Sequence, residues 1–498
     1  MSEKSKKNNK FYITTTIPYV NALPHLGHAM EFVEADFIAR FHRSKGEEVY
    51  FLSGSDENAI KNVQAAENEG INVQQLVDRN SKEFIDLIKA LNISTDQFIR
   101  TTEERHFLGT QALWKATEKD IYKKSYEGLY CLGCELFYEK NELNEEGECY
   151  EHPGKKIELV EEENYFFKLS NYEEWLRNLI TIGELKILPE VRKNEILSLI
   201  NSGLKDFSVS RPVSRSKSWG VPVPGDESQT IYVWYDALSN YINALGYPNS
   251  DSLYQKFWLE NENRVHILGK GVSRFHAIYW PAMLKSAGIP IPTLELVHGY
   301  ITVDGQKMSK STGNVINPSH LISKYGAEAV RYYLLTGISS EEDGDFSYSK
   351  FETKYTSDLT NGLGNFASRI LAMASEIEFF REKEVEERIS LAIRETKSKF
   401  EIKVNEFKLH EAVTEVWKLI QFGDSYINEN KPWSETDREK KETAIYNAIV
   451  ILDNVASLVF PALPESSRKI TSCINWESEG LLKARKTEPI FPRLESNA

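Results

Sequence analysis

At 498 residues the chain exceeds the roughly 250–300 at which one hydrophobic core stops growing, so roughly two to four domains are predicted. Its 60 basic and 74 acidic side chains leave a net charge of −14, which excludes a uniformly basic nucleic-acid binder and confines phosphate contacts to a local stripe of Lys and Arg. The longest apolar stretch, near 449–463, is interrupted by Asp453, Asn454 and Pro461, so no membrane span or membrane partner is expected.

Residues 1–10 carry four lysines and match neither a secretory nor a transit signal, so a disordered basic tail and a cytoplasmic location are expected. Residues 11–17 read as a buried strand. Residues 29–43 read as a helix with Met30, Phe32, Val33, Phe37, Ile38 and Phe41 at its apolar positions, and 49–52 as a second strand. That order is a βαβ unit, whose parallel sheet places ligands at the carboxyl ends of its strands, where His25, His28, Ser55 and Asp56 fall.

Residues 125–165 are aromatic, acidic and cysteine-bearing with little helical period, as in a small module inserted into a larger α/β domain. Strands are predicted again at 231–234 and 266–268. From about Phe351 the chain turns to long amphipathic segments punctuated by Pro432 and Pro461, which predicts an α-helical bundle. The fold class is therefore α/β, with a Rossmann-like parallel sheet, an inserted module and a C-terminal helical bundle.

Three motifs carry chemistry. In His25-Leu26-Gly27-His28 the imidazoles are three residues apart at a helix start, facing the same way beside unpaired backbone N–H groups. Either they form a phosphate site, with Gly27 permitting close approach to the backbone, or they are capping histidines at a domain seam. Lys307-Met308-Ser309-Lys310-Ser311 follows the apolar residues 300–303 and the turn signal Asp304-Gly305. It reads as a mobile polyphosphate clamp or as a solvated lysine loop. Cys131-Leu132-Gly133-Cys134, followed after fourteen residues by Cys149-Tyr150-Glu151-His152, has zinc-knuckle spacing. Four protein ligands leave no open position for a substrate, so Cys131, Cys134, Cys149 and His152 predict one structural Zn2+. The remaining cysteine, Cys473, reads as a small buried hydrophobe.

The two signatures, His25 to His28 and Lys307 to Ser311, resemble those of class I aminoacyl-tRNA synthetases. Over about 11–494 the chain is similar to the methionyl-tRNA synthetases. The selective stretches are Pro18-Tyr19-Val20-Asn21, Glu162-Glu163-Asn164-Tyr165-Phe166-Phe167, Trp219-Gly220-Val221-Pro222-Val223-Pro224, Tyr232-Val233-Trp234-Tyr235-Asp236-Ala237 and Asp343-Gly344-Asp345-Phe346-Ser347. Two departures stand out. Asn58 ends Gly54-Ser55-Asp56-Glu57-Asn58 where the family usually has histidine, and Gly271 ends Gly269-Lys270-Gly271 where it usually has aspartate.

The resemblance implies a catalytic domain in two halves (11–115 and 211–300), a connective insertion (116–210), a stem-contact region bearing the lysine loop (301–350) and an anticodon-binding domain (351–498). It implies catalysis by His25, His28, Lys307, Lys310 and Arg211, and ATP binding by Gly27, His25, His28, Lys307, Ser309 and Lys310. Methionine binding falls to Ile17, Asp56, Trp234, Ala237, Tyr241 and His276, and anticodon reading to Asn365, Arg369 and Trp433. The substrates implied are L-methionine, Mg2+-ATP and tRNA(Met). A monomer is expected, since an additional C-terminal dimerising domain carried by some relatives has no room before Ala498. The alternatives are activation of leucine, valine or cysteine by the same class, and a non-catalytic zinc-bearing RNA-binding protein; amino-acid-dependent pyrophosphate exchange separates all three.

Overall fold

The computed structural model describes residues 9–131, 136–138, 140–150, 154, 157–249, 252–307, 314–339, 342–477 and 481–494. They form two compact units, one comprising the chain up to Pro24, Lys45–Lys89 and Ser94–Gly299, the other His25–Ser44, Ala90–Ile93 and the chain from Tyr300.

In chain order the strands of the first unit are β1 Lys10–Thr14, β2 Glu48–Ser55, β3 Gln97–Arg100, β4 Ile121–Cys131, β5 Leu136–Tyr138, β6 Glu158–Phe167, β7 Lys186–Leu188, β8 Phe207–Ser208, β9 Ser210–Pro212, β10 Pro222–Val223, β11 Asp226–Ile231, β12 Arg264–Gly269 and β13 Leu294–His298. Six of them make one sheet in the order β3-β2-β1-β12-β13-β7, and every neighbouring pair is parallel. A parallel sheet is covered on both faces, so its strands are apolar without alternation, as Phe11, Tyr12 and Ile13, all buried, illustrate. The strand predicted over 11–17 leaves the sheet at Thr14. Pro18, which has no N–H to give a ladder, follows that exit, and its carbonyl takes the amide of Asp56 at 2.9 Å. The insertion is antiparallel, in the order β5-β4-β6-β8, with β10-β11-β9 as a separate small sheet.

The predicted strand at 231–234 is corrected. β11 ends at Ile231, and Val233–Leu238 is helical, with Asp236 in its first turn fully buried. The aromatic and β-branched run Ile231-Tyr232-Val233-Trp234 has strand propensity, but tertiary bonds to Asp236 override it.

In the second unit, Leu26–Ser44 forms a helix (α1) whose buried Asp36 pairs with Arg40 and with Arg331, both at 2.7 Å. Arg331 is wholly buried and donates its other protons to the carbonyls of Leu91, Pro461 and Ala462. β14 Ile301–Val303 and β15 Gln306–Lys307 make a hairpin through Asp304 and Gly305, whose φ values of 50° and 76° match a two-residue turn. β16 Gly344–Phe346 pairs with β14 in parallel, and the Asp345 carboxylate accepts from the Gly305 amide at 2.8 Å. The helical tail contains Asn365–Ala374, Glu387–Asn405, Leu409–Asn430 and Arg438–Val459. It also holds a three-stranded sheet of two- to four-residue strands, Phe380–Arg381, Ile474–Glu477 and Leu481–Ala484, too short to show a period.

Helix Arg438–Val459 is long and apolar enough to cross a membrane by length and composition, although no such stretch was expected from the sequence. It is a core helix: 61% of its apolar window is buried within the protein, and its buried Asn447 donates to Glu386 and Tyr426, both at 3.0 Å.

Candidate active site

The two signature histidines open α1 with their rings stacked at 3.8 Å. The His25 amide donates to Nδ1 of His28 and the Gly27 amide to Nδ1 of His25, each at 3.1 Å. An Nδ1 that accepts carries no proton, so in both neutral rings the proton sits on Nε2, which is a donor. Gly27 is needed for a reason the motif did not reveal: a Cβ there would lie 3.0 Å from His25 Cε1, so glycine makes room for the neighbouring imidazole.

The residues assigned to methionine all lie in the first unit. The Trp234 ring stacks on Phe275 at 3.6 Å, only 3° from parallel, with Tyr19 edge-on at 6.1 Å. Tyr241 and His276 are buried, and the Tyr241 hydroxyl meets His276 Nε2 at 2.7 Å. His276 Nδ1 lies 3.0 Å from the Val272 carbonyl, which only accepts; Nδ1 therefore holds the proton and Tyr241 is the donor to Nε2. His276 sits in a π-helical turn, Phe275–Tyr279. Asp56 is buried and its strand-like bridge to Tyr19 fixes its backbone, while Ile17 packs over Gly54, where a Cβ would lie 2.7 Å from Ile17 Cγ2. Ala237 is buried on the same short helix as Trp234.

Beside these lies a polar network that the motifs missed. Asp236 accepts from Asn58 Nδ2 and His106 Nε2, both at 2.7 Å, and from Thr110 at 3.2 Å. The departure at Asn58 is thus chemically accommodated, since its amide supplies a donor to a buried carboxylate. Glu57 accepts from Ser55 at 2.7 Å, Ser81 at 2.5 Å and Arg100 at 2.6 Å, while its carbonyl takes the Trp219 indole N–H at 2.7 Å. Below them His266, bonded to Thr14 at 2.7 Å, is pushed well below its ordinary pKa by burial and by the neighbouring His276 and Arg264. Burial alone pushes the Glu295 carboxyl well up. No motif marks either group: His266 shares β12 with Arg264, and Glu295 shares β13 with His298, in otherwise apolar strands.

Arg211 lies in β9, buried, with Nη1 on Ser208 Oγ at 2.8 Å and on the Ser210 carbonyl at 2.7 Å, and its guanidinium 4.2 Å above the Tyr232 ring. Gly271 falls in an exposed turn after β12. Met308, Ser309, Lys310 and Ser311 lie outside the described residues, as does the Lys307 side chain; the Lys307 backbone pairs with Thr302 in β15. Of the four predicted zinc ligands, Cys134 and His152 lie outside the described residues. Cys131 and Cys149 are buried with their sulfurs 3.3 Å apart, too far for a disulfide of about 2.05 Å. Among the described residues no group of three or more ligands gathers around a metal position.

In the second unit Asn365 and Arg369 stand four residues apart on one helix, and the Arg369 guanidinium lies 5.4 Å from the Trp433 ring centre. Arg369 is held by Asn428 at 3.0 Å and Asp424 at 3.4 Å, and Trp433 is 52% exposed. An exposed indole backed by a guanidinium suits stacking of an unpaired base.

Residues 11–371 match the family described as tRNA synthetases class I (M), and residues 380–489 match the anticodon binding domain of methionyl tRNA ligase. The chain belongs to the class I methionyl-tRNA synthetases. The methionine–tRNA ligase of Brucella suis biovar 1 is 41% identical over 477 residues, covering 93% of this chain and 91% of the relative. That of Clostridium perfringens is 42% identical over 514 residues, covering 97% and 78%. The structure of Mycobacterium tuberculosis methionyl-tRNA synthetase in complex with methionyl-adenylate superposes with a TM-score of 0.90 at 34% identity, covering 97% of this synthetase and all of that chain.

Proposed function

We propose that this synthetase activates L-methionine with Mg2+-ATP and transfers it to tRNA(Met), for both initiation and elongation, with the residue roles that follow. The methionine carboxylate attacks the α-phosphorus and pyrophosphate leaves; the terminal ribose hydroxyl of tRNA then attacks the methionyl carbonyl of the adenylate, loses its proton, and breaks the acyl–phosphate bond to release AMP. No protein side chain forms a covalent bond. His25 and His28 present Nε2–H donors to the phosphates, and Lys307, Ser309 and Lys310 close on them as charge develops, with Arg211 acting on the reacting anion. Trp234 and Tyr241 wall the thioether, whose sulfur–aromatic contacts contribute about 0.3–1.5 kcal/mol each, while Asp56 pairs with the ammonium group. Asn365, Arg369 and Trp433 read the anticodon.

The observation that carries this reading is the pair of backbone-to-Nδ1 bonds that make both signature histidines Nε2 donors at a helix N-terminus. Cys131, Cys134, Cys149 and His152 would hold a zinc ion, which cross-links the insertion without touching substrate; the paired, buried sulfurs of Cys131 and Cys149 fit that donor set. A cytoplasmic monomer with no membrane partner completes the proposal. ATP–pyrophosphate exchange across all twenty amino acids tests it: methionine alone should support exchange, and exchange with another amino acid in its place would overturn the assignment.

A further inference from the structure

The short helix Val233–Leu238 carries two residues assigned to methionine, Trp234 and Ala237, and between them Asp236, which is fully buried. A buried carboxylate needs donors around it, since desolvation penalises an unpaired charge. Two come from the helix Glu104–Thr117, where His106 Nε2 and Thr110 Oγ1 reach Asp236 Oδ1 at 2.7 and 3.2 Å. Asn243 Nδ2 lies 3.3 Å from His106 Nδ1, so that ring accepts at Nδ1 and donates from Nε2. The donor to Asp236 Oδ2 is Asn58 Nδ2, at 2.7 Å.

Asn58 is the decisive residue, because it faces two ways. Its backbone amide donates at 3.3 Å to Oδ1 of Asp56, the carboxylate assigned to the methionine ammonium, while its side chain holds Asp236. The second Nδ2 proton goes to the Thr101 carbonyl at 3.0 Å. A carboxylate and a carbonyl have no proton to give, so Nδ2 must face them both, and the buried Oδ1 is left without a partner among the described residues. An amide with both N–H groups engaged and its oxygen unsatisfied serves here as a donor. The Asp56 side of the link is pinned in turn. The Asp56 amide donates to Pro18, Asn62 Nδ2 reaches the Asp56 carbonyl at 3.1 Å, and the Trp219 indole holds the Glu57 carbonyl at 2.7 Å. With that segment fixed, the reach of the Asn58 side chain sets where the helix Val233–Leu238 lies.

We propose that Asn58 is a positioning residue for methionine: through Asp236 it spaces the helix bearing Trp234 and Ala237 from the Asp56 carboxylate, so that the groups assigned to the thioether and the ammonium are set before the amino acid binds. The inference deepens the reading of the chain as a methionine-activating enzyme and rests on it. Neither Asn58 nor Asp236 touches the groups assigned to ATP, so their effect belongs to methionine binding.

The test measures methionine-dependent pyrophosphate exchange by the full chain for wild type, Asn58→Asp, Asp236→Asn and the double variant, each with its melting transition. Asn58→Asp sets an acceptor against an acceptor, and Asp236→Asn sets a donor against a donor. The double variant exchanges the two roles and restores the bond. Each single variant should raise the methionine KM about tenfold, the order expected when a buried polar group loses its partner, with the ATP KM within about threefold of wild type. The double variant should recover at least about threefold of the loss seen in the worse single variant, a non-additivity that general loosening of the fold does not produce. An unchanged methionine KM in both single variants, an equal rise in the ATP KM, or a double variant no better than the worse single one overturns the link. Should a single variant fail to fold, Asn58→His and Asn58→Leu are compared in its place: histidine keeps an N–H donor and leucine does not, so a methionine KM about tenfold higher with leucine supports the link and equal values overturn it. The two failures are distinguishable, since absent methionine-dependent exchange in the wild type sinks the ligase reading, whereas intact exchange with indifferent variants sinks only the role of Asn58.

Discussion

The side chains assigned to methionine and those assigned to the anticodon are held in opposite ways. Tyr241 is 1% exposed and His276 2%, and each has its proton position dictated by a named partner. Trp433 is half exposed, with the Arg369 guanidinium 5.4 Å from its ring centre, and Arg369 is itself divided between Asn428 and Asp424. Burial makes an unsatisfied polar atom costly, so the buried wall is oriented in advance; the exposed face carries no such penalty and can adapt to a base that arrives. Specificity for a small amino acid suits the first arrangement, and contact with a flexible single strand suits the second.

The largest effect should come from neither region. Lys310→Ala is expected to lower adenylate formation about 10²–10³-fold while the methionine KM stays nearly constant, because a contact made only as charge develops affects kcat. Pyrophosphate exchange at the wild-type rate in that variant would remove Lys310 from the mechanism. Next, Tyr241→Phe leaves the buried His276 Nε2 without its donor, a loss of about 1–3 kcal/mol. Methionine kcat/KM in the exchange assay should fall on the order of tenfold or more, and an unchanged value would mean that the buried wall is not oriented as argued. Trp433→Ala should lower kcat/KM for tRNA charging by about tenfold, since base stacking contributes about 1–3 kcal/mol, with methionine-dependent exchange unaffected. A matching fall in exchange would erase the separation between the two regions.

The smallest effect concerns Glu295. Its pKa is higher in the folded protein than the ordinary 4.5, so the folded state keeps a proton that the unfolded chain releases. Its contribution is therefore fully present below pH 4.5 and is lost as pH rises above that value. Glu295→Gln should flatten the decline of the melting temperature above that pH, and parallel curves for variant and wild type would show that burial does not hold the carboxyl neutral.

The βαβ start was legible because Phe11 to Ile13 are a short continuous apolar run whereas the apolar positions of α1 recur at a helical period, and the Asp304-Gly305 turn because that dipeptide tolerates positive φ. Trp234 was misplaced on a strand, since propensity in a four-residue run is weaker than the bonds that bury Asp236. Gly27 was legible as a close approach, but the approaching group, the His25 ring, was not.

By itself the sequence determined the parallel α/β class, the helical tail, the two signatures and the family, because these are written in periodicity and in short runs of contiguous residues. Only the tertiary structure decided which partner each polar group takes: Asn58 with Asp236 across 178 positions, Tyr241 with His276, and Arg331 with Asp36. The reason is physical. Local pattern records how much of a side chain is hidden, whereas the identity of its partner depends on the strand order, which sets β1 between β2 and β12 and so brings Thr14 against His266 from the far end of the unit.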